Sequence, residues 1–314
     1  MAVHILRRLL QAIPVLLFSS LIVFSILQLV PGDPATNLAG PDASDEDVEI
    51  IRHRLGLDRP VAQQYLDWIG NAVRGDLGDS FRNSRSVSEL LGDALAPTLE
   101  LTLVAFALEL AFGVVLGVMA GTHLRSGWDW GLSGFTMLGI AIPHFVLGLV
   151  FIYFISFRLE LLPIGGRVSL FADPVEGLRY LVLPAVVLGL TGAAVLARFV
   201  RTSIAQVMNQ DYIRTARAKG LAGRAVVIRH GLRNGLVPIV TVIALQFAAL
   251  LTGSVVVENV FSRPGIGRLV VGAIQARDYP VVQGALLFLV FGFIMINLLA
   301  DIMYGILDPR IRLG

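Results

Sequence analysis

Six long apolar stretches, separated by polar segments of unequal length, organise this sequence. Leu9 to Gly32, Trp130 to Phe157, Tyr180 to Ala197, Asn234 to Val257 and Tyr279 to Ala300 carry no charged residue. Leu99 to Gly121 is interrupted only by Glu100 and Glu109. A bilayer core of roughly 30 Å takes about 20 apolar residues in a helix, and each stretch is near that length. The pattern predicts an all-α membrane protein of about six transmembrane helices. The first lies within residues 1–30, and the others fall near 99–121, 132–155, 180–200, 236–257 and 280–303. Residues 31–97 form a polar region, residues 98–310 a five-helix core with a basic segment at 201–235, and residues 311–314 a short tail.

The polar region has helix signals of its own. Ser44 with Asp47 three residues later makes an N-cap with an acid at the third position. Val48, Ile51 and Leu55 then share one face, and Gly56 is placed to end that helix. Pro60 opens a second helix with Val61, Tyr65, Trp68 and Ile69 along its face.

Composition sharpens the membrane reading. Hydrophobic residues make up 55% of the 314 positions and charged residues 15%, against about 25% in a soluble domain. Too little polar surface exists to cover six buried apolar helices in water. There is no cysteine, which excludes disulfides, thiolate metal sites and a cysteine nucleophile. The first apolar run is longer than a secretory h-region and ends in Pro31-Gly32-Asp33-Pro34, so it reads as a retained helix.

Charge sets the expected orientation. Arg7 and Arg8 precede the first span. Arg198, Arg201, Arg214, Arg217, Lys219, Arg224, Arg229 and Arg233 lie between the fourth and fifth, against the single acid Asp211. The positive-inside rule places both segments in the cytoplasm, and six spans return Arg310 and Arg312 to the same side. Residues 31–97 hold twelve acids and six arginines and belong outside.

Within the basic segment, Asp211-Tyr-Ile-Arg-Thr-Ala-Arg-Ala-Lys-Gly220 reads as a short helix. Asp211 in its first turn and Lys219 in its last both suit the helix dipole. Gly220 fits a left-handed position beyond the end. Thr215, Ala216 and Ala218 are small enough to let another surface approach. The residues alone leave two readings open, a docking helix for a partner or a basic loop at lipid headgroups.

The segment resembles the coupling-helix motif of binding-protein-dependent ABC importer permeases, which is Glu-Ala-Ala, three residues, then Gly. The motif falls on Arg214, Thr215, Ala216 and Gly220, with Arg214 and Thr215 departing from it. Downstream, Leu232 matches the family and Arg233 stands where proline is usual. Further motifs are Pro31-Gly32-Asp33-Pro34, Leu55-Gly-Leu-Asp-Arg-Pro60, Gly75-Asp-Leu-Gly78, Ile142-Pro143, Glu258-Asn-Val-Phe-Ser-Arg-Pro-Gly-Ile-Gly267, Arg277-Asp-Tyr-Pro280 and Asp308-Pro-Arg-Ile-Arg312. In order and spacing they resemble the B-type permease of the dipeptide, oligopeptide and nickel importers.

The resemblance implies a type I permease fold in a bacterial inner membrane. It implies a second homologous permease, two ATP-binding subunits and an extracytoplasmic substrate-binding protein as partners. Asp211, Tyr212, Arg214, Thr215, Ala216, Arg217, Lys219 and Gly220 would then form the ATPase-coupling helix, and peptides would be the cargo, with nickel and oligosaccharide as alternatives. ATP and Mg are expected on the partners. Lys219, the only lysine, sits between Ala218 and Gly220, so no Gly-Lys-Ser/Thr phosphate loop exists in this chain.

Four residues are candidates for a pathway or gate: Glu109, Pro143, Pro264 and Gly265. An ionisable residue inside a span is a functional hypothesis by default, and a hydrogen-bonded structural role for Glu109 stands beside it. Pro143 is expected to kink the third span. The five histidines form no metal-binding pair, and neither a metal nor a nucleic-acid partner is expected. An autonomous secondary transporter would need coupling-ion carboxylates at midplane or matched broken helices, for which Glu109 alone is a thin case.

Overall fold

The computed structural model describes residues 2–29, 33–40, 42–236 and 239–307. Pro31, Gly32 and the Asp308–Arg312 motif lie outside the described residues, as does the Arg7 side chain. Among those described, helices are α1 (Ala2–Gln28), α2 (Pro34–Ala39), α3 (Asp45–Arg54), α4 (Val61–Val73), α5 (Val87–Thr122), α6 (Gly127–Ala141) and α7 (His144–Phe151). After these come α8 (Pro174–Met208), α9 (Asp211–Ala218), α10 (Gly223–Ala225), α11 (Arg233–Gly235), α12 (Ile239–Val260), α13 (Ile266–Gln275) and α14 (Tyr279–Leu307). Ile152–Arg158 and Val226–Leu232 are wound as π-helix. Among the described residues five helices are long and apolar enough to cross a membrane, and α6 with α7 and its π-helical extension makes a sixth span if the bent pair is one.

That third span differs from its expectation. The apolar run predicts a single kinked helix over 132–155, whereas the chain breaks at Ile142 and turns by 103°. Ile142 is extended (φ −90°, ψ 118°), and Pro143 caps the next helix. A proline removes a backbone donor and forces the preceding residue out of the helical region, and here both effects act at one point.

The chain forms two compact units. One comprises Ala2–Ala96 with Pro264–Met295. Its α3 begins with the predicted capping box, in which Ser44 and Asp47 each bond the other's backbone. The helix closes with Gly56 at φ +68° and Leu57 N–H bonded to the Arg52 carbonyl at 3.0 Å. Helix α4 packs on α1 through Phe24, Tyr65 and Trp68, with ring centroids 5.5 Å and 5.9 Å from Phe24, and Ser20 and Tyr65 share a 2.9 Å hydrogen bond. The start of α5 (Val87, Leu91, Ala94) meets α13 (Ile266, Val270, Ala273) and α14 (Val281, Val282, Ala285) in a small core. Asp278 fastens the 75–86 loop to it, accepting from the Ser80 hydroxyl (2.5 Å) and the Phe81 amide (3.1 Å).

The other unit holds residues 97–263 and the last part of α14. Helix α8 is its centre: 67% of its apolar window is buried, against 17–28% for the other long spans. Its partner α5 presents Ala105, Glu109, Gly113, Gly117 and Gly121, one residue per turn. Against them lie Gly189, Gly192, Leu196, Val200 and Ile204 of α8 in the same order, so the two helices run parallel. Small residues in this spacing let membrane helices approach closely where no hydrophobic force drives them together. A Cβ on Gly117 would sit 2.6 Å from the Ala197 carbonyl oxygen, which is backbone and cannot swing aside. Gly117→Val is therefore expected to cost about 1–3 kcal/mol through overpacking. It should lower the amount of folded protein in membranes, whereas Gly131→Val, which meets open space, should not.

Candidate functional site

Helix α9 is built on the end of α8. Asn209 caps α8, Gln210 turns the chain with extended backbone, and Asp211 begins α9. The helix ends as predicted, with Gly220 at φ +76°, its N–H bonded to the Arg217 carbonyl (3.0 Å), and Leu221 N–H bonded to Ala216 (3.4 Å). Ile213 and Ala216 are buried against Met208 and Val226, and this fixes α9 to its own chain. Ala216, expected on the approachable face, therefore faces inward. Asp211, Tyr212, Arg214, Thr215, Arg217, Lys219 and Gly220 are exposed. The Thr215 hydroxyl bonds back to the Asp211 carbonyl (3.0 Å), and Arg214 pairs with Asp211 at 3.3 Å across open surface.

Beyond α9 the chain folds back on α8. Ser203 donates to the Gly235 carbonyl (2.6 Å), and Asn234 donates to the Tyr212 hydroxyl (3.2 Å). A Cβ on Gly235 would meet Ile204 at 2.7 Å, so the two segments are in close contact. Arg224, Arg229 and Arg233 are also exposed, and the surface is a basic platform with Asp211 as its acid. Nearer the bundle, the Arg201 guanidinium of α8 grips Asp129 of α6, with Nη2 to Oδ2 at 2.9 Å. This ion pair ties α8 to the first half of the broken span.

The candidate gate residues have separate settings. Glu109 is fully buried between α5 and α8, with Gln246 approaching from α12. Among the described residues neither of its carboxylate oxygens has a hydrogen-bond partner. Gln246 donates to the Gly192 carbonyl (3.2 Å), and a Cβ on Gly192 would lie 2.2 Å from Glu109 Oε2. Pro143 stands at the 103° break of the third span. Pro264 is exposed and Gly265 is buried and extended. Both line a cleft of about 410 Å³ together with Arg82, Arg85, Asp93 and Arg268.

The pattern of residues did not foretell a buried ionic cluster around Thr98 and Glu100 of α5, Glu258 near the end of α12 and Arg263 just beyond it. Glu100 accepts from Arg167 at both oxygens (3.0 and 2.7 Å) and from Arg263 Nη2 (2.9 Å). Thr98 donates to Glu258 Oε1 at 2.6 Å. Arg263 and Glu258 are fully buried. Burial pushes the Arg263 guanidinium below its ordinary value, against the pull of Glu100 and with Arg167 adding to the push. Glu100 interrupting an apolar stretch was the visible signal; its two arginines lie 67 and 163 residues away in sequence.

The apolar spans, the broken third span and the short basic helix at the end of α8 go with the class that the comparisons show, a permease of the type I ABC importer fold. The fold is shared with a chain of the inward-facing methionine ABC transporter MetNI, at TM-score 0.58, 19% identity, and 70% and 96% coverage of this chain and that one. A solved amino acid ABC transporter gives TM-score 0.52 at 16% identity, with 69% and 94% covered.

The chain belongs to the family described as binding-protein-dependent transport system inner membrane component, whose model matches residues 113–313. The companion N-terminal model matches residues 1–102. A putative peptide transport system permease protein of Brucella abortus (strain 2308) is 45% identical over 313 residues, 99% of each chain. The glutathione transport system permease protein GsiC of Escherichia coli (strain K12) is 41% identical over 310 residues, 98% of each. This is a multi-pass inner membrane protein and a transport component. Permeases of this class work with other permease and ATPase subunits.

Proposed function

We propose that this chain forms half of the translocation pathway for di- or oligopeptides in an ATP-driven importer. A second homologous permease supplies the other half, two ATP-binding subunits supply the energy, and an extracytoplasmic binding protein delivers the cargo. The peptide assignment is carried by the likeness to a peptide and a glutathione permease along 98–99% of the chain. The energy assignment is supported by α9, a basic, exposed helix anchored to α8 by Ile213 and Ala216. ATP and Mg sit on the partners, and α9 conveys their closure to α8 and, through Arg201 and Asp129, to the broken span. The basic platform then lies in the cytoplasm with both termini, by the positive-inside rule.

The test is uptake of a labelled tripeptide into proteoliposomes holding the full complex and its binding protein. ATP-dependent uptake that unlabelled peptides compete, and nickel salts or oligosaccharides do not, is the expected result. Transport by this chain alone, without ATPase subunits, would overturn the reading.

A further inference from the structure

The buried cluster holds one cation more loosely than its burial suggests. Arg263 offers five N–H donors. Only Nη2 is used, on Glu100, while buried Nε and Nη1 have no hydrogen-bond partner among the described residues. A buried donor left unpaired calls for an explanation, and strain held for function is one of the few available. Glu258 supplies a second carboxylate within electrostatic reach of the same guanidinium, and the Arg263 amide bonds the Glu258 carbonyl at 2.9 Å.

The charges that face Arg263 can be followed element by element. Helix α5 contributes Glu100, α12 contributes Glu258, to which the Thr98 hydroxyl donates, and the 159–173 loop contributes Arg167. Arg167 holds both oxygens of Glu100, so that carboxylate stays compensated whether or not Arg263 remains. Glu258 is tied to Thr98 and is buried close by. If Arg263 moved to Glu258, Arg167 would still hold Glu100, so each carboxylate would lie beside a cation; the two arrangements differ in which carboxylate Arg263 holds.

We infer that Arg263 is a positioning residue for transport, a latch that passes between Glu100 on α5 and Glu258 on α12 as the two helices shift during the cycle. The structure holds the Glu100-paired position. The latch rests on the reading of the chain as an alternating permease, and it requires α12 to move against α5 at this end. A bistable pair of buried contacts turns a small helix shift into two discrete states.

The test uses the full complex in proteoliposomes, with spin labels on cysteines placed at exposed Leu99 and Val256. The chain has no native cysteine to compete. The unaltered latch is expected to give two distance populations that exchange on ATP addition. Glu258→Gln removes the second position and should leave one population. Its maximal uptake rate should fall about tenfold with the half-saturating peptide concentration unchanged, the signature of a lost turnover step. Glu258→Asp, which keeps the charge, should restore exchange. Should Glu258→Gln fail to assemble, Arg263→Gln is read instead and should give a single distribution insensitive to ATP.

The latch is overturned if Glu258→Gln exchanges and transports like the parent, or if Glu258→Asp is as slow as Glu258→Gln. It is also overturned if Arg263→Gln retains ATP-driven exchange. Failure of the parent complex to take up peptide would sink the substrate reading alone, because the label distances report on the latch without any cargo.

Discussion

Gly220→Trp is expected to lower peptide uptake by at least about tenfold while ATP hydrolysis by the assembled complex continues, a loss of coupling and not of chemistry. Gly220 sits at φ +76°, where a side chain with a Cβ is strained by roughly 1–2 kcal/mol. A Cβ there would meet nothing within 4 Å, so the indole would project from the exposed end of α9 into the space a partner must occupy. Gly220→Asn separates the two causes. Asparagine tolerates the left-handed region and is small, so its uptake should stay near that of the parent. Parallel uptake and ATPase measurements on the same proteoliposomes decide it. Parent-like uptake in the tryptophan variant would remove α9 from the coupling path.

Removing both carboxylates around Arg263 is the second large effect. In the double variant Glu100→Gln with Glu258→Gln the guanidinium has no anionic neighbour among the described residues in its buried site. Stripping a buried charge of its partner costs about 3–5 kcal/mol. Either single replacement should cost clearly less, because the remaining carboxylate still compensates Arg263. The double variant should therefore destabilise by more than the sum of the singles, as expected for groups in one network. Thermal unfolding of the detergent-solubilised complex measures this; simple additivity would mean that the two carboxylates do not share the arginine.

Much of the architecture was legible because the signals are local. Charge-free runs announce spans, and Ser44, Asp47, Gly56 and Gly220 announce helix ends, each by satisfying or terminating a backbone within a few residues. Pro143 was legible as a disturbance, but not the 103° turn, since the angle depends on what the freed chain packs against. The glycine spacing on α5 is plain at positions 113, 117 and 121, yet it names no partner. That it meets α8 follows only from the assembled bundle.

Helix α9 divides along the same line. Its extent, its basic surface and its glycine end were set by the sequence. Which of its small residues faces outward was not: Ala216 is turned inward because Met208 and Val226 offer it an apolar pocket. Thr98, Glu100, Arg167, Glu258 and Arg263 lie on separate segments, each ordinary alone. The sequence by itself determined that the chain is a membrane protein, which stretches are long and apolar enough to cross, and where a basic helix ends. Only the tertiary structure decided which helices touch and which charges share a buried site, because those depend on long-range packing that no local pattern records.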